Sequence, residues 1–203
     1  MKAPEVASKL AVTGGTFAAE IPAEYIPEGF KLVKNSDGTY SVLDRFVARN
    51  NGTDYKSLIE AVEKAQAGDT IELLEDYDGC GIVINKALTI DLGGNTYKVT
   101  KDPAGSTGTK TQCFQILKEA GDVVIKNGTI ATDNASIKII IQNYANTTLE
   151  DVTVKGANAG YGMSNNCGNV KITGSTTIEG ILDASYWPSA YPGGAAVTVD
   201  TTG

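Results

Sequence analysis

Carboxylates are the first residues to weigh. Two of them at the right separation can hydrolyse a glycosidic bond, one as acid and the other as base or nucleophile. Glu72, Glu75, Asp76 and Asp78 crowd one stretch, and Glu150-Asp151 form a second. Adjacent side chains on a strand face opposite ways, so Glu150 and Asp151 do not converge. All six read as solvated acids. The chain has no His, which removes the usual Ser and Cys triads. Cys80, Cys113 and Cys167 form no CxxC pair and read as free thiols, so no metal site is expected. Cys80 and Cys113 each precede a strand-like run and could be neighbours, but no disulfide is assigned. No Gly-rich loop opens a helix, so no nucleotide cofactor is expected. Catalytic residues, metal ligands and cofactors are therefore all set at none. The candidates for binding are aromatic: Tyr186, Trp187 and Tyr191, on a stretch stiffened by Pro188 and Pro192. Exposed rings on a stiff loop can stack on sugar faces. The competing reading is that they pack down as a plug.

The elements that must position such residues come from a repeat between Thr70 and Val199. Ala87 to Tyr97, Gly121 to Ile130, Asn146 to Val154 and Asn169 to Ile178 read as copies of one unit. Aligned, Ile90, Ile125, Leu149 and Ile172 fall in register. Setting aside a polar insertion from Lys101 to Thr111, the period lies in the window of about 20–50 residues typical of stacked repeats. Each copy holds short alternating runs rich in β-branched residues, such as Val152-Thr153-Val154 and Val170-Lys171-Ile172. Gly93-Gly94, Asn127-Gly128 and Gly174-Ser175 supply corners with positive φ. The pattern predicts an all-β fold, a right-handed parallel β-helix (solenoid) of about five or six coils. A β-sandwich of short strands is the rival. Two domains are expected, an N-terminal appendage at 1–45 and the helix domain at 46–203, with coils over 70–199. Residues 54–67 read as an α-helix capped by Asp54, with Leu58, Ala61, Val62 and Ala65 on one face and Gly68 after it, forming a lid on the first coil. Lys31 to Val42 reads as a hairpin turning at Asp37-Gly38. Leu10 to Phe17 reads as a strand and a turn.

Composition narrows the partners. The chain has 203 residues, 41% of them hydrophobic, which suits a globular fold. The net charge of −7 disfavours nucleic acid and anionic membrane surfaces. No apolar run is long enough for a membrane span. Met1 to Glu5 lacks the apolar core of a signal peptide.

Thr13-Gly14-Gly15-Thr16-Phe17, Glu24-Tyr25-Ile26-Pro27-Glu28-Gly29-Phe30 and Asp37-Gly38-Thr39-Tyr40-Ser41-Val42 resemble a "GGTF…DGTY" module of large surface proteins of gut bacteria. In such proteins that module usually closes a preceding β-helix; here it comes first. Tyr55 to Val62 with Gly68-Asp69-Thr70-Ile71-Glu72-Leu73 is similar to the opening of pectate-lyase-like right-handed β-helices. The resemblance implies secretion or a cell-surface location, with signal and anchor outside this chain. Lyases of that group bind calcium through acidic residues and use a basic residue, usually Arg. Here the only Arg are Arg45 and Arg49, both ahead of the repeat.

The expected function is a non-catalytic structural or binding module of a secreted or cell-surface bacterial protein, used in adhesion or glycan contact. A polysaccharide lyase or glycoside hydrolase is one alternative. A self-assembling filament or phage fibre subunit is the other. The expected partners are a glycan or another cell-surface protein, with head-to-tail self-association through Leu10–Phe17 and Val197–Val199.

Overall fold

A computed structural model describes residues 10–106, 109–156 and 159–183, and the backbone of Ala195–Val199. The chain divides into two compact units, Met1–Phe46 and Val47–Gly203. In the first, β1 (Gly15–Phe17), β2 (Phe30–Lys34) and β3 (Tyr40–Asp44) form an antiparallel sheet in the order β1-β3-β2. The hairpin turns where the sequence places it. The Asp37 carboxylate accepts the Thr39 N–H at 2.9 Å, and Gly38 takes φ 87°. One 3-10 turn, Ala23–Tyr25, precedes it. Val42 is the only fully buried hydrophobic residue among the described part of this unit.

The second unit opens with β4 (Ala48–Asn50), β5 (Thr53–Tyr55) and α1 (Leu58–Lys64). Then come β6 (Thr70–Leu73), β7 (Tyr77–Gly79), β8 (Ile82–Ile84), β9 (Leu88–Asp91), β10 (Thr96–Val99) and β11 (Gln112–Ile116). They are followed by β12 (Asp122–Thr132), β13 (Ile139–Asn143), β14 (Asn146–Gly156), β15 (Tyr161–Asn165) and β16 (Gly168–Thr173). The last are β17 (Thr177–Ile178), β18 (Ile181–Asp183) and β19 (Ala195–Val199). Eleven strands make one sheet with the main path β19-β16-β14-β12-β9-β6-β4-β5. Five others make a second sheet, β18-β15-β13-β11-β8. Ile71, Ile90, Ile125, Leu149 and Ile172 lie side by side across the larger sheet, all buried. Tyr97, Ile130 and Val154 make a parallel row. The Tyr97 ring meets Phe114 edge-on with centroids 5.7 Å apart, which joins the cores under the two sheets.

A single right-handed parallel β-helix is not what forms. The described strands make three sheets of antiparallel, mixed and parallel order, and no solenoid closes among them. Two physical causes are visible. Tight turns at Asp37-Gly38 and Asn51-Gly52 send the chain back on itself, so β1 to β5 pair antiparallel, and β4 also meets β6 antiparallel. The large sheet also forks. The 11-residue strands β12 and β14 each hold a left-handed residue, Asn127 (φ 58°) and Asp151 (φ 54°). On one side of Asn127, β12 pairs with β9, and on the other with β10.

The helix is shorter than expected. It spans Leu58–Lys64, with Ser57 rather than Asp54 as its cap, the Ser57 hydroxyl accepting the Glu60 N–H at 3.1 Å. Asp54 lies on β5, where Arg49 binds its carboxylate at 2.6 Å. Leu58, Ala61 and Val62 are buried, and the helix packs on β4, β5 and β6. The strand expected at Leu10 begins only at Gly15; Val12 N–H instead bonds the Tyr25 carbonyl at 2.7 Å.

Candidate functional site

The five-stranded sheet carries a middle row that its neighbours do not resemble. Successive side chains on a strand alternate between faces. Ile82, Phe114, Ile141 and Met163 form one buried row; Ile84, Ile116, Asn143 and Asn165 form another. Between them, in register and on the opposite face, run Val83, Gln115, Gln142 and Ser164. Val83 is 40% exposed, whereas Gln115 and Ser164 are each 7% exposed. The Gln115 amide donates to the Gln142 amide oxygen at 3.3 Å, and Ser164 donates to the Asn166 amide oxygen at 2.9 Å.

A hollow of about 640 Å³ lies over the first part of this row. Val83 and Gln115 line it, with Gly105 and Ser106 from the insertion. Leu117 to Glu119 and Tyr144 complete it. Gly105 takes φ 132°, and a Cβ there would collide with the Gln112 amide and the Thr109 carbonyl, so the insertion can close up only with glycine at this position. Tyr144 is fixed from beneath. Asn143 donates to the Asn165 amide oxygen at 2.8 Å and to the Ala145 carbonyl at 2.7 Å, while its own oxygen accepts Thr147 at 2.7 Å. The Cys167 thiol donates to the Tyr144 carbonyl at 2.7 Å. These bonds satisfy buried amides that would otherwise be costly, and they hold the corner carrying the ring. A smaller hollow of about 260 Å³ adjoins, sharing Lys118 and Tyr144 and adding Asn146, Cys167 and Asn169.

The volume of the larger hollow fits a ligand site of about 300–1,000 Å³. Its chemistry is amide, hydroxyl, ring and aliphatic carbon, with Lys118 and Glu119 of opposite sign. That set can exchange hydrogen bonds with hydroxyls and pack against C–H faces. The N-terminal unit has a hollow of about 680 Å³ among Ile21, Pro22, Ile26, Phe30 and Leu32, with no side-chain amide among its described lining residues.

The residues singled out from sequence do not meet here. Tyr186, Trp187 and Tyr191 lie outside the described residues. Asp76 accepts the Thr96 N–H at 2.7 Å, and Asp151 accepts the Ser175 N–H at 2.8 Å. Because Asp151 is left-handed, strict alternation does not carry across Glu150-Asp151. Asp91 lies in the larger sheet; burial pushes its carboxyl up, but the Gly93 N–H, the Asn127 amide and Lys126 outweigh this and hold it below the usual range. The thiols are free. Burial pushes Cys113 up to about 12, so it stays protonated at neutral pH, and raises Cys167 as well. No group of three or more His, Cys, Asp or Glu suited to a metal occurs among the described residues. Of the segments expected to self-associate, Gly15–Phe17 pairs with Tyr40–Val42 of its own unit, and β19 lies along β16. Sequence reasoning missed Gln115, Gln142 and Ser164. Only Gln115, between Phe114 and Ile116, interrupts an apolar run; Gln142 and Ser164 are each followed by asparagine and carry no such signal. Set against protein-family models, curated proteins and solved structures, the chain matches none.

Proposed function

We propose that the chain is a non-catalytic binding module of a secreted or cell-surface bacterial protein, and that it contacts glycans through the hollow over the five-stranded sheet. The observation that carries this reading is Gln115, bonded to Gln142 of the next strand and set beside Tyr144 in a hollow of ligand size. The acids support it too: Asp76, Asp91 and Asp151 accept backbone N–H groups, a structural task. The surface location rests on the resemblance of the Thr13–Phe17 and Asp37–Val42 phrases to surface proteins. Incubation with uronate polymers and with neutral polysaccharides tests the absence of catalysis. The expected result is no unsaturated-product absorbance and no new reducing ends, with retention of the protein on at least one immobilised glycan. Depolymerisation of any of them would make it an enzyme instead.

A further inference from the structure

The two hollows beside Tyr144 share Lys118 and Tyr144 in their linings. Corner residues follow the strand register. Leu117 N–H bonds the Ile84 carbonyl at 2.8 Å, Tyr144 N–H the Ile116 carbonyl at 2.9 Å, and Asn166 N–H the Asn143 carbonyl at 2.8 Å. Val83 and Cys167 therefore stand three strand spacings of about 4.8 Å apart, or about 14 Å measured across the strands. The smaller hollow, about 260 Å³, falls below the size of an ordinary ligand site and suits an extension of its neighbour. Its polar groups are again amides. Asn146 donates to the Asp122 carboxylate at 3.0 Å and accepts the Asn169 N–H at 3.2 Å, which fixes both asparagines at the corner.

Resting on the glycan reading above, we infer that the two hollows are one site for a linear, uncharged oligosaccharide of several rings, running across the strands with Tyr144 at its middle. One ring of an extended sugar chain advances by a length comparable with one strand spacing, so about three or four rings span the site. Lys118 and Glu119 are adjacent and opposite in sign, so the site as a whole offers no excess charge for a polyanion. Hydroxyls have the amides of Gln115, Asn146 and Asn169 to bind, and a ring face has Tyr144 to stack on.

The test follows the side-chain amide NMR signals of the full-length, nitrogen-15-labelled protein. Two-ring and four-ring gluco-, xylo- and manno-oligosaccharides are titrated in, with galacturonate chains of the same lengths as the charged arm. A neutral four-ring chain should shift Gln115, Asn146 and Asn169 together and bind about tenfold more tightly than its two-ring form, the gain of the added contacts at Asn146 and Asn169. Asn169→Ala, at an exposed corner, should bring the four-ring affinity to within about twofold of the two-ring value. Shifts confined to Gln115 and Gln142, or an affinity independent of length, would mean two separate hollows, leaving glycan binding intact. Binding of galacturonate chains alone would overturn the uncharged assignment. No shift with any sugar would end both this inference and the glycan reading.

Discussion

Asp91 shows how single residues set the corners of the larger sheet. One of its oxygens accepts Gly93 N–H at 3.0 Å and the Asn127 amide at 3.1 Å, and the other lies 3.3 Å from Lys126. Its folded-state pKa lies below the unfolded value of about 3.9, so its contribution is present above that pH and is lost as the pH falls through the folded value. Asp91→Asn should cost about 1–2 kcal/mol at pH 7. The difference from wild type should shrink below about pH 4, as read from urea midpoints at several pH values. Asn127 bears a second load at the same corner, because φ 58° is disfavoured for residues with a Cβ but tolerated by asparagine. Asn127→Ala should cost about 1–2 kcal/mol from that conformation alone. Asn127→Gly should cost less, since glycine enters this region freely. Equal losses for the two variants would place the whole cost in the Asp91 hydrogen bond.

At the scale of elements, α1 tests how the edge of the large sheet is covered. It has seven residues, too few to be stable alone, so packing must hold it. Leu58 is completely buried against the core under β4 to β6. Leu58→Ala should lower stability by about 2–5 kcal/mol. Ser57→Ala, which removes only the cap, should cost about 1 kcal/mol. Urea denaturation measures both; a negligible loss for Leu58→Ala would mean the helix is not part of the cooperative core. This stretch also shows what sequence can convey. The apolar stripe at Leu58, Ala61 and Val62 is plain in the helical period. Its beginning is not, because Asp54 and Ser57 are equally good caps, and the choice was made by Arg49 drawing Asp54 into a strand pair. The in-register row Ile90, Ile125, Leu149 and Ile172 was legible because β-branched and aliphatic residues recur at matching points of each repeat. The forks at Asn127 and Asp151 were not, because one left-handed residue inside a long strand leaves no periodic trace. The Gln115 row was hidden for a related reason: glutamine at the centre of an apolar run looks like ordinary strand alternation until the rows are laid side by side.

Across the whole molecule, the two units differ in how much core they own. The first has Val42 as its one fully buried hydrophobic residue among those described, whereas the second has continuous rows on both sheets. Amide hydrogen exchange should therefore release β1 to β3 first and β9, β12 and β14 last, because local opening is cheapest where few apolar contacts must break. Uniform protection along the chain would contradict that division. The same rows make the second unit a rigid support, and the polar hollow over its five-stranded sheet is where function is assigned. Affinity electrophoresis through gels holding a panel of neutral polysaccharides, with wild type beside Gln115→Leu, tests that assignment most directly. Leucine keeps roughly the volume of glutamine and removes its amide. The account predicts that at least one polysaccharide retards the wild type and that Gln115→Leu migrates close to its sugar-free rate. Equal retardation of both proteins, or retardation of neither by any polysaccharide, would contradict it.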